Sequence, residues 1–226
     1  MAIQLNEVIP WGRSFDEYRR MFALSDVDLA GGILGCGDGP ASFNAEATAK
    51  GHTVVSCDPL YAFAPAEIER RIEDCYEDVI SQVRKNPDGF VWDYFHDPDH
   101  LGQCRLAAMR RFLADFEAGK AEGRYVTASL PHLPFEDGEF DLALISHLLF
   151  LYSEQLDFGF HQAAIGELLR VAKRVCIFPL LTLDGKLSPY VEPMCTHLRA
   201  RNVKAEIIPV SYEFQRGGNE MLDLSE

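Results

Sequence analysis

The sequence predicts an α/β protein, a doubly wound domain built on a mostly parallel sheet. Stretches with apolar residues at every second position alternate with stretches of helical periodicity along most of the chain. This alternation is typical of βαβ units. A glycine-rich loop, GCGDG at 35–39, follows the first strand-like stretch, and Asp58 ends the second. Because ligands of such sheets bind beyond the carboxyl ends of the strands, we expect a ligand site there.

The first quarter of the chain predicts two helices and two strands. Ser14 followed by Glu17 forms a capping box that opens the first helix. Pro40 suits the first turn of the second helix, and Gly51 ends it. The expected elements are a short helix in SFDEYRRMF, a strand at 31–34, a helix at 40–50 and a strand at 52–57.

The connection from the second strand to the third is longer than one crossover helix requires. Apolar residues recur at helical spacing between 64 and 83, at Ile68, Ile72, Tyr76, Val79 and Val83. A second helix is expected to begin near Pro98, with Asp97 as N-cap and Gly119 after its end. We interpret about 62–122 as a helical insertion that caps one end of the sheet, within a single domain of 1–226.

The remainder of the chain returns to alternating strands and helices. We expect strands at 124–129, at 139–146, at 174–179, at 205–214 and at 221–224, with helices at 158–173 and 188–201. A Gly-Gly turn at 217–218 joins the last two strands.

Composition limits the possible partners. The net charge of −14 repels phosphate backbones and anionic lipids, which argues against nucleic acid and membrane partners and favours a small molecule or a protein. The chain has no apolar run of about 18 residues and no secretory signal pattern in MAIQLNEVIPWGR. Its six cysteines form no CxxC pair. We therefore expect a cytoplasmic protein with reduced thiols; the oligomeric state stays open.

The glycine loop distinguishes between nucleotide cofactors. Gly35 and Gly37 allow close approach of a ligand to the backbone, and the following helix begins with free N–H groups. Dinucleotide binders require a glycine at the sixth position of GxGxxG, where this chain has Pro40. The carboxylate of Asp58 can accept hydrogen bonds from both hydroxyls of a ribose. The pattern is therefore GxGxG with a ribose-binding acid.

These motifs resemble those of the class I S-adenosylmethionine-dependent methyltransferases. The similar pieces are GCGDG at 35–39, Asp58, and LPHLPFEDGEFDLALISHLLFL at 130–151. The resemblance implies a seven-stranded sheet whose last strand is antiparallel, with S-adenosylmethionine bound across strands one to four. It places Gly35, Cys36 and Gly37 against the cofactor, Asp58 on the ribose, Pro59, Leu60, Ser129 and Leu130 around the adenine, and Ser146 and His147 near the methionine portion and the methyl group.

The chain departs from that family at three points. Ile33 replaces the usual acid near the methionine ammonium, Ser129 stands where an aspartate often contacts the adenine, and VAKRV at 171–175 lacks a common Pro-Gly-Gly. Loss of a charged hydrogen bond costs about 1.5–3 kcal/mol. This loss weakens cofactor binding about tenfold or more unless Asp38 or a residue of the N-terminal segment compensates for Ile33.

Two histidines are candidates for a catalytic base. His147 directly follows the fourth strand and is the first candidate; the alternative is a histidine that only bonds a neighbouring loop. His161 lies near the start of the following helix, where a capping or surface role competes with a place in the pocket.

Several other residues have both a functional and a structural interpretation. Arg13, beside Trp11, can meet an anionic group of the cofactor or acceptor, or be a solvated cation beside a packed Trp. Arg216 and Asn219 can lie near an acceptor, or only frame a hairpin. His96 and His100 have a spacing that does not suit a metal site. The aromatic residues of the same loop line a pocket or pack the insertion onto the domain: Phe90, Trp92, Tyr94 and Phe95. Arg105, Arg110 and Arg111 are expected on a solvated helix face.

We expect transfer of a methyl group from S-adenosylmethionine to a small-molecule acceptor, with no metal. The alternative is a non-catalytic binding or regulatory protein that keeps this fold, which Ile33 motivates. A nicotinamide-dependent oxidoreductase is opposed by Pro40. The acceptor and its reacting atom are not encoded in any motif.

Overall fold

The protein forms one seven-stranded sheet with helices on both faces. In a computed structural model, which describes residues 9–225, the strand order is β3-β2-β1-β4-β5-β7-β6. Only β7 runs antiparallel to its neighbours β5 and β6. The strands are β1 (Gly32–Cys36), β2 (Thr53–Cys57), β3 (Tyr125–Val126), β4 (Phe140–Ser146), β5 (Ala172–Phe178), β6 (Lys204–Pro209) and β7 (Glu220–Ser225). The expected fold class, with its antiparallel last strand, is confirmed. Residues 1–8 and 226 of the predicted domain lie outside the described part.

The helices divide between the two faces of the sheet. They are α1 (Phe15–Met21), α2 (Phe43–Ala49), α3 (Pro65–Lys85), α4 (Pro98–Ala121), α5 (Phe158–Val171) and α6 (Val191–Arg199). Because successive strand residues face opposite ways, β1 sends Ile33 to one core and Leu34 to the other. The Ile33 core packs α1, α2 and part of α3; the Leu34 core packs α5 and α6. The domain is doubly wound, as the alternating sequence predicts.

The predicted capping box forms at the start of α1. The Ser14 hydroxyl accepts from the N–H of Glu17, and the Glu17 carboxylate accepts from the N–H of Ser14 at 3.0 Å. Two free donors of the first turn are thereby satisfied. The helix so begun packs Phe15, Tyr18 and Met21 into the core on the Ile33 face of the sheet.

The insertion consists of a short 3-10 helix (Pro59–Ala62), α3 and α4, which share a third core with β3. Gly119 was expected after the end of α4 but lies inside the helix, which continues to Ala121. The reason is packing: a side chain at 119 would overlap the ring of Tyr125. Gly119 thus permits a close helix–strand approach rather than ending the helix. Within residues 9–225, no helix is both long and apolar enough to cross a membrane.

Two predicted strands are shorter than the sequence pattern indicates. The third contains only Tyr125–Val126, and the sixth ends at Pro209 instead of Phe214. After Pro209 the chain leaves the sheet edge, and Phe214 stacks on Phe90 of the insertion with ring centroids 4.7 Å apart. This departure brings the β6–β7 connection over the carboxyl end of the sheet.

Candidate functional site

A cavity of about 390 Å³ lies at the carboxyl ends of the parallel strands. Its wall combines the loops after β1, β2 and β4, the N-terminal segment, the insertion and the β6–β7 connection. Of the residues predicted to bind a cofactor or to act as base, the cavity is lined by Cys36, Gly37, Asp58, Pro59, Leu60, Ser129, Leu130, Ser146 and His147. Residues far apart in sequence therefore meet in one place, and their individual roles stay predictions.

The glycine loop adopts a conformation that side chains disfavour. Gly37 has φ +70°, and a Cβ there would lie 2.6 Å from the Leu148 side chain. The N–H of Gly37 donates to the carbonyl of Cys57 at 2.8 Å, which joins the loop to the end of β2. The backbone is therefore held at the cavity wall, open to close approach.

Asp58 organises the region between the first two strands. Its carboxylate accepts from the N–H of Gly39 at 2.8 Å and from the N–H of Leu60 at 2.7 Å. Burial raises the pKa of Asp58, and these two donors limit the rise. A carboxylate has about four lone-pair positions, so the side chain can still accept hydrogen bonds from the cavity. Its contact with a ribose stays a prediction.

Ile33 and Gly35, on one face of β1, are both covered. Ile33 is completely buried in the core under α1. Gly35 was predicted to touch a cofactor, but it does not line the cavity, because the Asp38 carboxylate occupies the place of a Gly35 side chain. Gly35 thus lies outside the cavity lining, its lack of a side chain is what admits Asp38, and its contact with a cofactor stays a prediction.

Asp38 supplies a carboxylate on the same face of β1 as Ile33. It accepts from the Tyr18 hydroxyl at 2.7 Å and from the Ser56 hydroxyl at 2.6 Å, and it is 6% exposed at the cavity wall. Burial raises the pKa of Asp38 to about 6, against the lowering effect of the two hydroxyl donors. The carboxylate is ionised at neutral pH. It lies in the loop directly after β1, the strand in which Ile33 replaces the acid usual in the similar methyltransferases.

His147 lies beyond β4 in a left-handed conformation with φ +55°. Its N–H donates to the carbonyl of Phe178 at 2.7 Å, and its Nδ1 is 2.9 Å from the Ser146 hydroxyl. Burial lowers the pKa of His147 well below 6.5, and the positive charges of Arg13 and Arg105 lower it further. The imidazole is therefore neutral at pH 7, and its role as a base stays a prediction.

His161 does not reach the cavity. It is fully buried against the rings of Phe150 and Tyr190, and its Nδ1 lies 2.8 Å from the carbonyl of Asp157. Its neighbour Phe160 lines the cavity instead. The interpretation of His161 as a second pocket base is wrong.

The N-terminal segment lies against the glycine loop. Gly12 is in contact with Pro40, and the carbonyl of Arg13 accepts from the N–H of Ser42 at 3.0 Å. The guanidinium of Arg13 lines the cavity and donates to the carbonyl of Trp11 at 2.9 Å. Arg13 is therefore a cavity residue rather than a solvated cation.

A buried ion pair, missed by the sequence analysis, supports this wall. Arg105 was expected on a solvated helix face, but its side chain is 1% exposed and its Nη1 lies 2.6 and 2.7 Å from the two Glu17 carboxylate oxygens. Tyr212 donates to the same carboxylate at 3.0 Å. The periodicity contained the signal: Arg105 shares the helix face of Leu101 and Phe112, both buried. That face packs inward together with its arginine.

The β6–β7 connection contributes different residues from those predicted. Arg216 and Asn219 do not line the cavity; Arg216 donates to the carbonyls of Asp88 and Phe90 in the insertion. Phe214 and Gln215 line the cavity in their place. Arg216 therefore ties the connection to the insertion, which is a structural role.

Most aromatic side chains in the loop between α3 and α4 pack against the rest of the domain. Phe90 lines the cavity, while Trp92 and Phe95 contact Phe214 edge-on and Tyr94 donates to Asp16 at 2.8 Å. His96 stacks on His100 with ring centroids 4.6 Å apart. The insertion is thus held on the domain by aromatic contacts, with one ring exposed to the cavity.

The strand order, with β7 antiparallel between β5 and β6, is the one that the resemblance to the class I methyltransferases implies. No family model matches the sequence. The chain is 34% identical over 223 residues, 97% of each chain, to the uncharacterized protein MJ0045 of Methanocaldococcus jannaschii. The chain belongs to the family of that protein.

Solved structures are similar to the chain at much lower identity. A SAM-dependent methyltransferase from Aquifex aeolicus is 12% identical, with 92% of this chain and 90% of that chain covered and a TM-score of 0.42. PigF with SAH is 12% identical, with 92% and 54% covered and a TM-score of 0.48. The mitomycin 7-O-methyltransferase MmcR is 13% identical, with 94% and 53% covered and a TM-score of 0.46.

Proposed function

We propose that the protein transfers a methyl group from S-adenosylmethionine to a small-molecule acceptor. The observation that carries this proposal is that Asp58 and Gly37 line one cavity at the ends of β2 and β1. A carboxylate beside a glycine backbone at this position suits an adenosyl group, whose ribose carries two adjacent hydroxyls. The volume, about 390 Å³, lies within the range of roughly 300–1,000 Å³ common for ligand pockets.

The residues present fit this cofactor better than a dinucleotide. Asp58 would hold the ribose, Leu60 and Leu130 would flank the adenine, and Asp38 would face the methionine ammonium. Pro40 stands where a dinucleotide site needs glycine. Asp38 supplies the carboxylate that Ile33 lacks, which removes the main objection from the sequence.

Methyl transfer requires the protein mainly to align the acceptor with the methyl group of the cofactor. When bound, S-adenosylmethionine supplies a methyl group on a positively charged sulfur, which is already electrophilic. The chain aligns the acceptor between the β4 loop and the insertion, and the neutral His147 accepts a proton where the acceptor must lose one. Apolar residues from both sides, including Leu148 and Leu151, keep bulk water from the reacting atoms.

Isothermal titration with S-adenosylmethionine and S-adenosylhomocysteine tests the proposal. The wild type should bind both, and Asp58→Asn should weaken both about tenfold to hundredfold, since charged hydrogen bonds are lost. Asp26→Asn, a matched change at a side chain 97% exposed, should bind like the wild type. Absence of binding to the wild type at millimolar ligand would overturn the proposal.

A non-catalytic binding protein is the second candidate. It is favoured by the contact between Ser146 and His147, which engages one ring nitrogen of the only histidine that lines the cavity within residues 9–225. Methylated product from a pool of small acceptors, lost in His147→Ala with cofactor affinity unchanged, would exclude this candidate. Tight cofactor binding with no turnover on any acceptor would favour it.

A further inference from the structure

Three arginines, Arg13, Arg71 and Arg105, and two carboxylates, Asp38 and Asp58, line the cavity. Arg13 and Arg105 both line the cavity, and each lowers the pKa of the neighbouring His147. Glu17 is the carboxylate that pairs with Arg105, at 2.6 Å. Within residues 9–225, no ion pair involves Arg13, whose side chain donates only to the Trp11 carbonyl. The Arg13 guanidinium thus has no ion-pair partner in direct contact, and Glu17 acts on it only at longer range.

Both guanidinium groups also have an unused donor. The Nε atoms of Arg13 and Arg105 are buried and have no hydrogen-bond partner in the described part of the chain. Buried donors without a partner are rare in native proteins, because the group loses its water without replacement. Two of them in the wall of one cavity, on side chains of the same sign, indicate a missing acceptor of negative charge.

The rest of this part of the wall is apolar. The insertion contributes Val79, Val83, Phe90 and Leu101, with Phe214 stacked on Phe90. The loops after β4 and β5 and the start of α5 contribute Leu148, Leu151, Leu156, Leu183 and Phe160. A small inorganic anion would leave these surfaces without contacts. The wall therefore matches a molecule with an apolar body and one anionic group.

We propose that the methyl acceptor is a hydrophobic acid, an apolar skeleton bearing a carboxylate or phosphate that Arg13 binds beside Arg105. This inference rests on the proposed function and names its substrate class. The cofactor itself has a net positive charge, and its sulfonium beside an unpaired arginine would be repelled. A negative charge on the acceptor offsets both the positive charge of Arg13 and the net positive charge of the cofactor. It also gives an acidic protein, of net charge −14, a local site for a negative ligand.

The test uses simple probes on the protein saturated with S-adenosylhomocysteine. Isothermal titration with octanoate and octyl phosphate should show binding, and octanol should bind more weakly. Arg13→Gln should weaken both anions about tenfold or more and leave octanol unchanged, with Arg13→Lys between. Arg20→Gln, an exposed arginine on α1, is the matched control and should bind like the wild type. Thermal unfolding confirms that each variant is folded.

A second readout is the pKa of His147, followed by NMR. Octanoate should raise it in the wild type, because the bound anion offsets the arginine charges, and should have no effect in Arg13→Gln. A merely structural Arg13 would not produce this difference. Failure of both anionic probes to bind the loaded wild type would overturn the inference.

The other source of an anion is the cofactor carboxylate. If Arg13 held it, Arg13→Gln would weaken S-adenosylhomocysteine about tenfold but spare 5′-methylthioadenosine, which lacks the amino acid, and that result would also overturn the inference. If S-adenosylhomocysteine itself fails to bind the wild type, the proposed function fails. If S-adenosylhomocysteine binds but the loaded protein does not bind octanoate, only the assignment of the acceptor as a hydrophobic acid is wrong.

Discussion

Replacing Glu17 by Gln removes the carboxylate that neutralises Arg105 beneath the cavity. Glu17 accepts two contacts from Arg105, one from Tyr212 and one from the N–H of Ser14. Since the side chains of Glu17 and Arg105 are 2% and 1% exposed, the variant leaves a buried cation uncompensated, at a cost of about 3–5 kcal/mol. Gln keeps one carbonyl oxygen, so we expect about 3 kcal/mol. For a chain of this size that lowers Tm by roughly 6–12 °C.

Urea denaturation at pH 7 measures the effect. Glu206→Gln, which alters a half-exposed pair with Lys204, should cost less than about 1 kcal/mol. A double-mutant cycle with Arg105→Gln should recover part of the loss, because the two groups interact directly. A loss below about 1 kcal/mol for Glu17→Gln would refute the assignment of this pair as a buried, stabilising interaction.

The same pair determines an acid dependence. Burial tends to raise the pKa of Glu17, but the charge and hydrogen bonds of Arg105 lower it below 4.5 overall. A depressed carboxyl pKa contributes stability above its unfolded value, and this is lost as the pH falls through the folded value. The difference between the wild type and Glu17→Gln should therefore shrink below about pH 4.5.

Three further predictions concern the glycine loop and its surroundings. Gly37→Ala should weaken S-adenosylhomocysteine binding about tenfold or more, measured by titration, because φ +70° and the contact with Leu148 oppose a Cβ; unchanged affinity would contradict the close approach of the ligand. Ile33→Asp introduces the acid that the similar methyltransferases carry at this position. It should cost at least about 2 kcal/mol in urea unfolding because it buries a carboxyl in an apolar core, whereas Ile207→Asp at a 39% exposed position should cost little. The affinity for S-adenosylmethionine should fall as the pH drops through about 6, where Asp38 becomes protonated. The affinity for 5′-methylthioadenosine, which has no ammonium group, should stay constant over the same range. If the affinities of the two ligands fall in parallel, Asp38 is not the partner of the ammonium group.

The sheet was predictable because its signals are local. The apolar alternation of β4, the capping box at Ser14 and the turn at Gly37 each depend on a few adjacent residues. The strand ends were less predictable: residues 210–214 keep a strand-like pattern, but the chain leaves the sheet edge after Pro209 and Phe214 stacks on Phe90. That contact depends on the insertion, more than a hundred residues earlier.

The sequence predicts the position of a site residue when a local motif determines it, and not when a contact between distant parts of the chain determines it. Asp58 and the glycine loop follow from spacing along two strands. The role of Asp38 required knowing that its side chain folds back over Gly35, which only the loop conformation determines. Arg105 could be found only by noticing an arginine on the apolar face of α4, and its partner Glu17 already had a role in the capping box. Pairing between distant helices leaves no pattern in a single sequence.

The central claim is that an adenosyl group binds with its ribose on Asp58. A crystal structure of the protein grown with S-adenosylhomocysteine tests this most directly, through the distances from the two ribose hydroxyl oxygens to the Asp58 carboxylate. We expect both hydroxyls at about 2.5–3.0 Å from its oxygens, with the adenine beside Leu60. Ligand bound elsewhere, or a ribose turned away from Asp58, would contradict the account.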